Sequence, residues 1–148
     1  MYYKNFICSV AYIFLIAILT ACGNNAIKGS GEMKKITPEE VQAFAMEDTG
    51  FIYIKSPLKS DNEADEKILQ GFKRAAEQQE IDFYVFDEGE HQKWVKDDLG
   101  VNLLSQSIGF YQNGEKKEGL DLSRVNEKDQ ALKEINQFID NVKSDYFN

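Results

Sequence analysis

Thiols are nearly missing from this chain. Of its 148 residues only Cys8 and Cys22 are cysteine, and none follows position 22. Everything beyond Cys22 therefore lacks an internal disulfide, a thiolate nucleophile and a sulfur ligand for zinc. Histidine occurs once, as His91 beside Glu90. With no second strong ligand or nucleophile paired with it, His91 reads as an exposed surface residue rather than a general base or a metal ligand. Positive charge is also in short supply, with 17 basic against 25 acidic side chains and a net charge of −8. Such a chain is repelled by phosphate backbones and anionic lipid, which excludes nucleic acid as a partner. Only one long apolar run exists, Phe6 to Ala21.

That run is the first positive feature. It spans 16 residues, fewer than the ~20 a helix needs to cross a bilayer. Lys4 precedes it as the sole charge, and small residues close it. A basic start, an apolar centre and a small-residue end describe a secretory signal. The ending Leu19-Thr20-Ala21-Cys22-Gly23 resembles the lipobox of bacterial lipoproteins. The resemblance implies a diacylglycerol on the Cys22 sulfur and cleavage just before it. Residues 1–21 are then a signal peptide with a helical centre, and Cys22 is the lipidated first residue of a protein on the outer face of the cell membrane. An uncleaved anchor helix is the plainer alternative, and it leaves the domain exported too. Removing the leader takes away Lys4 alone, so −8 becomes −9 and 127 residues remain.

Residues 22–35 are expected to be the lipidated cysteine and a flexible tether, because 23–33 are small, polar and glycine-rich. The remaining 36–148 suit one domain with one core. Thr37-Pro38-Glu39-Glu40 has the form of a capping box with proline in the first turn, and Gly50 should stop that helix. Phe51–Ile54 and Ile81–Phe86 read as buried strands. Ala64, Ile68, Leu69, Phe72, Ala75 and Ala76 recur at helical spacing over 63–79. A short helix over Glu90–Leu99 carries Trp94, which reads as core or half-buried. Ser107–Tyr111 reads as a strand, Asn113-Gly114 as a hairpin turn and Lys116–Leu120 as the returning strand. Asn126 should cap a last helix striped by Leu132, Ile135, Phe138, Ile139 and Val142. The fold expected is α/β, a four-stranded mixed sheet with helices on both faces.

This element order, with Phe110-Tyr111-Gln112-Asn113-Gly114-Glu115 at the hairpin, resembles the thioredoxin fold. It is most similar to the small exported thioredoxin-like proteins described as bacteriocin transport accessory proteins. Tyr53-Ile54-Lys55-Ser56-Pro57 before a helix also looks like the approach to the redox motif. The resemblance places that family's Cys-x-x-Cys at about Lys59-Ser60-Asp61-Asn62, and neither end is cysteine. It places the cis-proline near Gln106, which is not proline either. Thiol–disulfide exchange needs an attacking and a resolving thiol, and both are missing. A trans peptide is expected at Gln106, since a cis bond without proline costs ~3 kcal/mol.

Ligands favour the carboxyl ends of parallel strands. A binding face is therefore expected from Lys55, Ser56, Lys59, Ser60, Asp61 and Asn62, with Ser105, Gln106, Ser107 and Trp94 beside them. Asp61 or Asn62 should cap the helix that follows. Asp87, Glu88 and Glu90 match no EF-hand spacing and read as a solvated loop. No metal, cofactor or catalytic residue is expected. The first function is a non-enzymatic exported lipoprotein that binds a peptide or protein, in a secretion or bacteriocin-related setting. The second is an oxidoreductase-related subunit that borrows a partner's cysteines. The third concerns the leader, whose Phe14–Ala21 stretch could be released as a peptide pheromone.

Overall fold

A computed structural model describes residues 27–92 and 99–147. The leader, its expected signal helix, the lipobox with Cys22, and Trp94 lie outside the described residues. Among the described residues no helix is long and apolar enough to cross a membrane.

The capping box forms as expected. Glu40 donates its amide to the Thr37 hydroxyl, Thr37 donates its amide to the Glu40 carboxylate at 2.7 Å, and helix α1 runs Pro38–Glu47. Asp48, not Gly50, closes it by donating its amide to the Phe44 carbonyl, and Gly50 opens strand β2 (Gly50–Lys55) instead. One turn of 3-10 helix, Lys59–Asp61, leads into α2 (Asn62–Gln79). Strand β3 (Phe83–Asp87), the hairpin strands β4 (Ser107–Gln112) and β5 (Glu115–Asp121), and helix α3 (Lys128–Phe147) follow. Asn126 does not cap α3. Its amide donates to the Arg124 carbonyl, and the first turn is tied instead by Ala131 donating to the Glu127 carbonyl.

The sheet has five strands, not four. With β1 (Met33–Lys35) at one edge, its order is β1-β3-β2-β4-β5, with β1, β3 and β2 parallel and the hairpin antiparallel. The added strand, β1 (Met33–Lys35), comes from the segment expected to be tether. Its backbone lies along the otherwise open edge of β3, in the register Met33 to Phe83. Order reaches back further still: Gly29 donates its amide to the Glu80 carbonyl at 2.7 Å, and Ile27 packs against the core. Glycine and polar content suggested freedom, but backbone pairing to an edge needs no particular side chain.

Alternation along the strands splits the core into two layers. Phe51, Tyr53, Phe83 and Phe110 face α2 and α3, where Ile68, Phe72, Ile135 and Ile139 are buried. Ile52, Ile54 and Phe86 face the other way, under Val41 and Phe44 of α1 and under Leu99, Val101 and Leu103. The expected placement of helices on both faces therefore holds. In the α3 stripe Leu132 is only partly buried, and Ala131 takes the buried position, close to Gly71 of α2.

Asp82 fastens β1 to the rest. Its carboxylate accepts from Lys34 at 2.5 Å, from the Ser30 hydroxyl at 3.0 Å and from the Glu32 amide at 3.1 Å. Burial alone would raise the pKa of Asp82, but the Lys34 ammonium and the other donors overcome it and hold the pKa at about 2. A lowered carboxyl contributes stability above its unfolded value of 3.8, and that contribution is lost as pH falls towards 2. Amide exchange at Lys34 and Lys35 should therefore accelerate between those two pH values relative to the core. In Asp82→Asn the edge should exchange fast at every pH. An edge that stays equally protected in both proteins would contradict this.

Candidate functional site

The expected face is assembled from four elements. The carboxyl ends of β2 and β3 bring Lys55, Ser56 and Asp87 together, the start of α2 brings Asp61 and Asp65, and the segment entering β4 brings Ser105, Gln106 and Ser107. Gln106 is bound to β2 by its backbone, donating its amide to the Ile54 carbonyl at 2.7 Å. Its peptide bonds are trans, as expected, and its φ of 57° lies in the left-handed region. Lys59, Ser60 and Asn62 are exposed, whereas Ser56, Gln106 and Ser107 are buried and so support the face from beneath.

At the centre lies a residue that sequence reasoning passed over. Asp65 has no exposed surface. Its Oδ1 accepts from the Tyr53 hydroxyl at 2.8 Å and from the Gln106 side-chain amide at 3.2 Å, and its Oδ2 accepts from the Ser56 amide at 3.2 Å. Burial raises the pKa of Asp65, although the Tyr53 and Gln106 donors and the Lys55 charge pull against it. The same burial, together with the neighbouring Asp65 charge, raises Tyr53. The sequence does contain a signal. Asp65 sits three residues before Ile68 and seven before Phe72, on the apolar stripe of α2 rather than its wet side.

The loop above is closed on itself. Ser56 donates its hydroxyl to Asp61 at 2.6 Å and accepts the Leu58 amide at 3.2 Å, while Ser60 donates to the other Asp61 oxygen at 3.0 Å. Asp61 therefore does not cap α2 through its side chain, because two hydroxyls already occupy its carboxylate, and Asn62 lies within the helix. Lys55 donates to Asp87 at 2.6 Å, and the Gly89 and Glu90 amides donate to the other Asp87 oxygen. Burial pushes Asp87 up, yet the Lys55 ammonium beside it leaves its carboxyl below the usual range. The acidic loop is thus partly engaged. Asp87 is buried and ion-paired, Glu88 accepts from Ser105 at 2.5 Å, and Glu90 pairs with Lys35. His91 is half-buried rather than exposed, stacked on Phe86 with ring centroids 5.3 Å apart.

No family model and no curated protein matches the chain. Among solved structures it is similar to the crystal structure of thioredoxin f from spinach chloroplast, long form. The two share 15% identity with a TM-score of 0.43, over 75% of this chain and 88% of that one. Among the described residues no cluster of three or more histidine, cysteine or acidic side chains is placed to hold a metal.

Two large apolar side chains of this face are exposed. Leu58 is 58% exposed at the loop crown and Leu104 is 68% exposed two residues before Gln106. Lys59 stands next to Leu58 and is also exposed.

Proposed function

We propose that this chain is a non-catalytic cell-envelope lipoprotein, anchored through Cys22, whose redox-inactive thioredoxin-like domain binds a peptide or protein partner. The setting is secretion or bacteriocin-related export, as the family resemblance suggests. One observation carries the reading. The position where the resemblance expects two thiols is a turn of Lys59-Ser60-Asp61-Asn62 in which the Asp61 carboxylate accepts the hydroxyls of Ser56 and Ser60, and neither end is cysteine. Thiol–disulfide exchange needs an attacking and a resolving thiol, and the turn supplies neither. The exposed Leu58 and Leu104 beside that sealed loop suit docking rather than turnover.

Three measurements test this together. In the presence of dithiothreitol the full chain should reduce insulin disulfides no faster than dithiothreitol alone does, and acceleration would overturn the redox claim. Cys22→Ser should move the protein from the detergent phase to the aqueous phase and abolish palmitate labelling. A photo-cross-linker placed at Leu58 in native membranes should give a discrete adduct that Leu104→Asp removes, whereas the same probe at the distant, exposed Met46 should give none.

A further inference from the structure

We propose that the outer edge of β5, with the groove beside it, receives an extended lysine- or arginine-rich strand from another protein. This surface is separate from the Leu58 loop, so the inference goes beyond the function proposed above and does not depend on it. Among the described residues β5 pairs only with β4, leaving one side of its backbone without a strand. Unpaired strand edges are templates for an added strand. The register shift beyond Tyr111 to Lys116 leaves Lys117 as the extra residue near the hairpin, so the regular stretch open for pairing is Glu118 to Asp121.

A groove of about 410 Å³ lies between this stretch and α3. Leu120, Phe138 and Val142 supply its apolar surface, and Glu118, Glu134 and Asp145 its charged surface. No lysine or arginine lines it. Glu118 accepts from the Tyr146 hydroxyl and Glu134 from the Gln130 amide, both neutral donors that leave the negative charge uncancelled.

Gly119 supports the strand mode. Glycine weakens a strand interior, so its presence asks for a reason. The fold supplies none, because a Cβ at Gly119 would meet only ordinary contacts, the nearest being the Lys116 side chain at 3.4 Å, and no positive φ requires glycine there. An incoming backbone that must pass close to the edge does supply a reason. The charge then selects the occupant. A second copy of this chain would bring the same three carboxylates against their counterparts, which opposes edge-to-edge pairing, whereas a basic strand with alternating apolar residues satisfies both the groove and its rim.

The test uses the full chain and a fluorescein-labelled hexapeptide of alternating lysine and valine, read by fluorescence anisotropy and amide exchange. The peptide should bind and slow exchange at Gly119 and Leu120. Methylating its alternate backbone amides, which keeps the charge but blocks strand addition, should abolish binding. The reversal Glu118→Lys with Glu134→Lys should weaken affinity about tenfold. Glu118→Gln with Glu134→Gln, which disturbs the fold less, should weaken it a few-fold. Leu58→Asp should change nothing here, which separates this surface from the loop proposed above. Equal binding of the methylated peptide, indifference to both charge variants, protection confined to residues 55–62, or self-association of the chain through β5 would each overturn the proposal.

Discussion

Replacing Gly114 with alanine should destabilise the protein by about 3 kcal/mol or more, lowering its melting temperature by about 10 °C. Two costs coincide at this residue. Its φ is 77°, a region in which a Cβ is strained, and Asn113 before it has φ 54°, so the pair forms the mirror-image turn suited to a two-residue hairpin. A Cβ at Gly114 would also lie 2.1 Å from the Met46 carbonyl oxygen, which is backbone and cannot rotate away. The hairpin tip is held there by Gly114 donating its amide to Asp48 and Asn113 donating to the Thr49 hydroxyl. The tip must lift from the end of α1 to admit the methyl group, and those two hydrogen bonds then fail. Gly100 provides the control. Its φ is 70°, yet among the described residues nothing lies within 4 Å of a Cβ there. Gly100→Ala should cost only about 1 kcal/mol. Calorimetric melts of the two variants decide the matter, and equal losses would show that strain, not the Met46 carbonyl, governs the turn.

Asp65→Ala should be comparably damaging, at about 3 kcal/mol, because it orphans three donors in a site closed to water: the Tyr53 hydroxyl, the Gln106 amide and the Ser56 backbone amide. Tyr53→Phe removes one donor and should cost about 1 kcal/mol. Asp65 also has a pH signature opposite in sign to that of Asp82. Burial raises its pKa above the unfolded 3.8, so the native state holds the proton more tightly than the unfolded chain does. Its contribution is most favourable below 3.8 and declines as pH rises through the raised native value. Asp65→Asn should remove that decline. Denaturant unfolding of both proteins from pH 3.5 to 7 tests this through the difference between the curves. A difference that stays constant with pH would mean that Asp65 ionises in the fold as it does in water.

The two aspartates also show where sequence reasoning reaches and where it stops. Local chemistry was legible. Thr37, Pro38 and Glu40 mark the start of α1, and Asn113-Gly114 marks the hairpin, because each works through neighbours within four residues. Helical spacing located α2 and the buried stripe of α3. The sheet's fifth strand was not legible, since Met33–Lys35 has no alternating pattern and its partner lies 50 residues on. The candidate face was legible in outline, as the carboxyl ends of parallel strands, but its inner wiring was not. Asp61 and Asn62 looked like caps because both residue types favour that position. The competing partner, Ser56, becomes visible only when the loop is folded. Asp65 is not singled out by sequence reasoning although it lies on the apolar stripe of α2, and one of the bonds that explain it comes from Gln106, 41 residues away.

The anchoring of Ile27 and Gly29 at the lower end of the sheet sets a geometric limit. Between Cys22 and Ile27 stand only four residues, which fully stretched reach no more than ~18 Å. If Cys22 carries the acyl chains proposed above, that reach holds the domain close to the headgroups. The parallel strands β2 and β3 run away from Gly29, so on that proposal the Leu58 crown faces away from the bilayer.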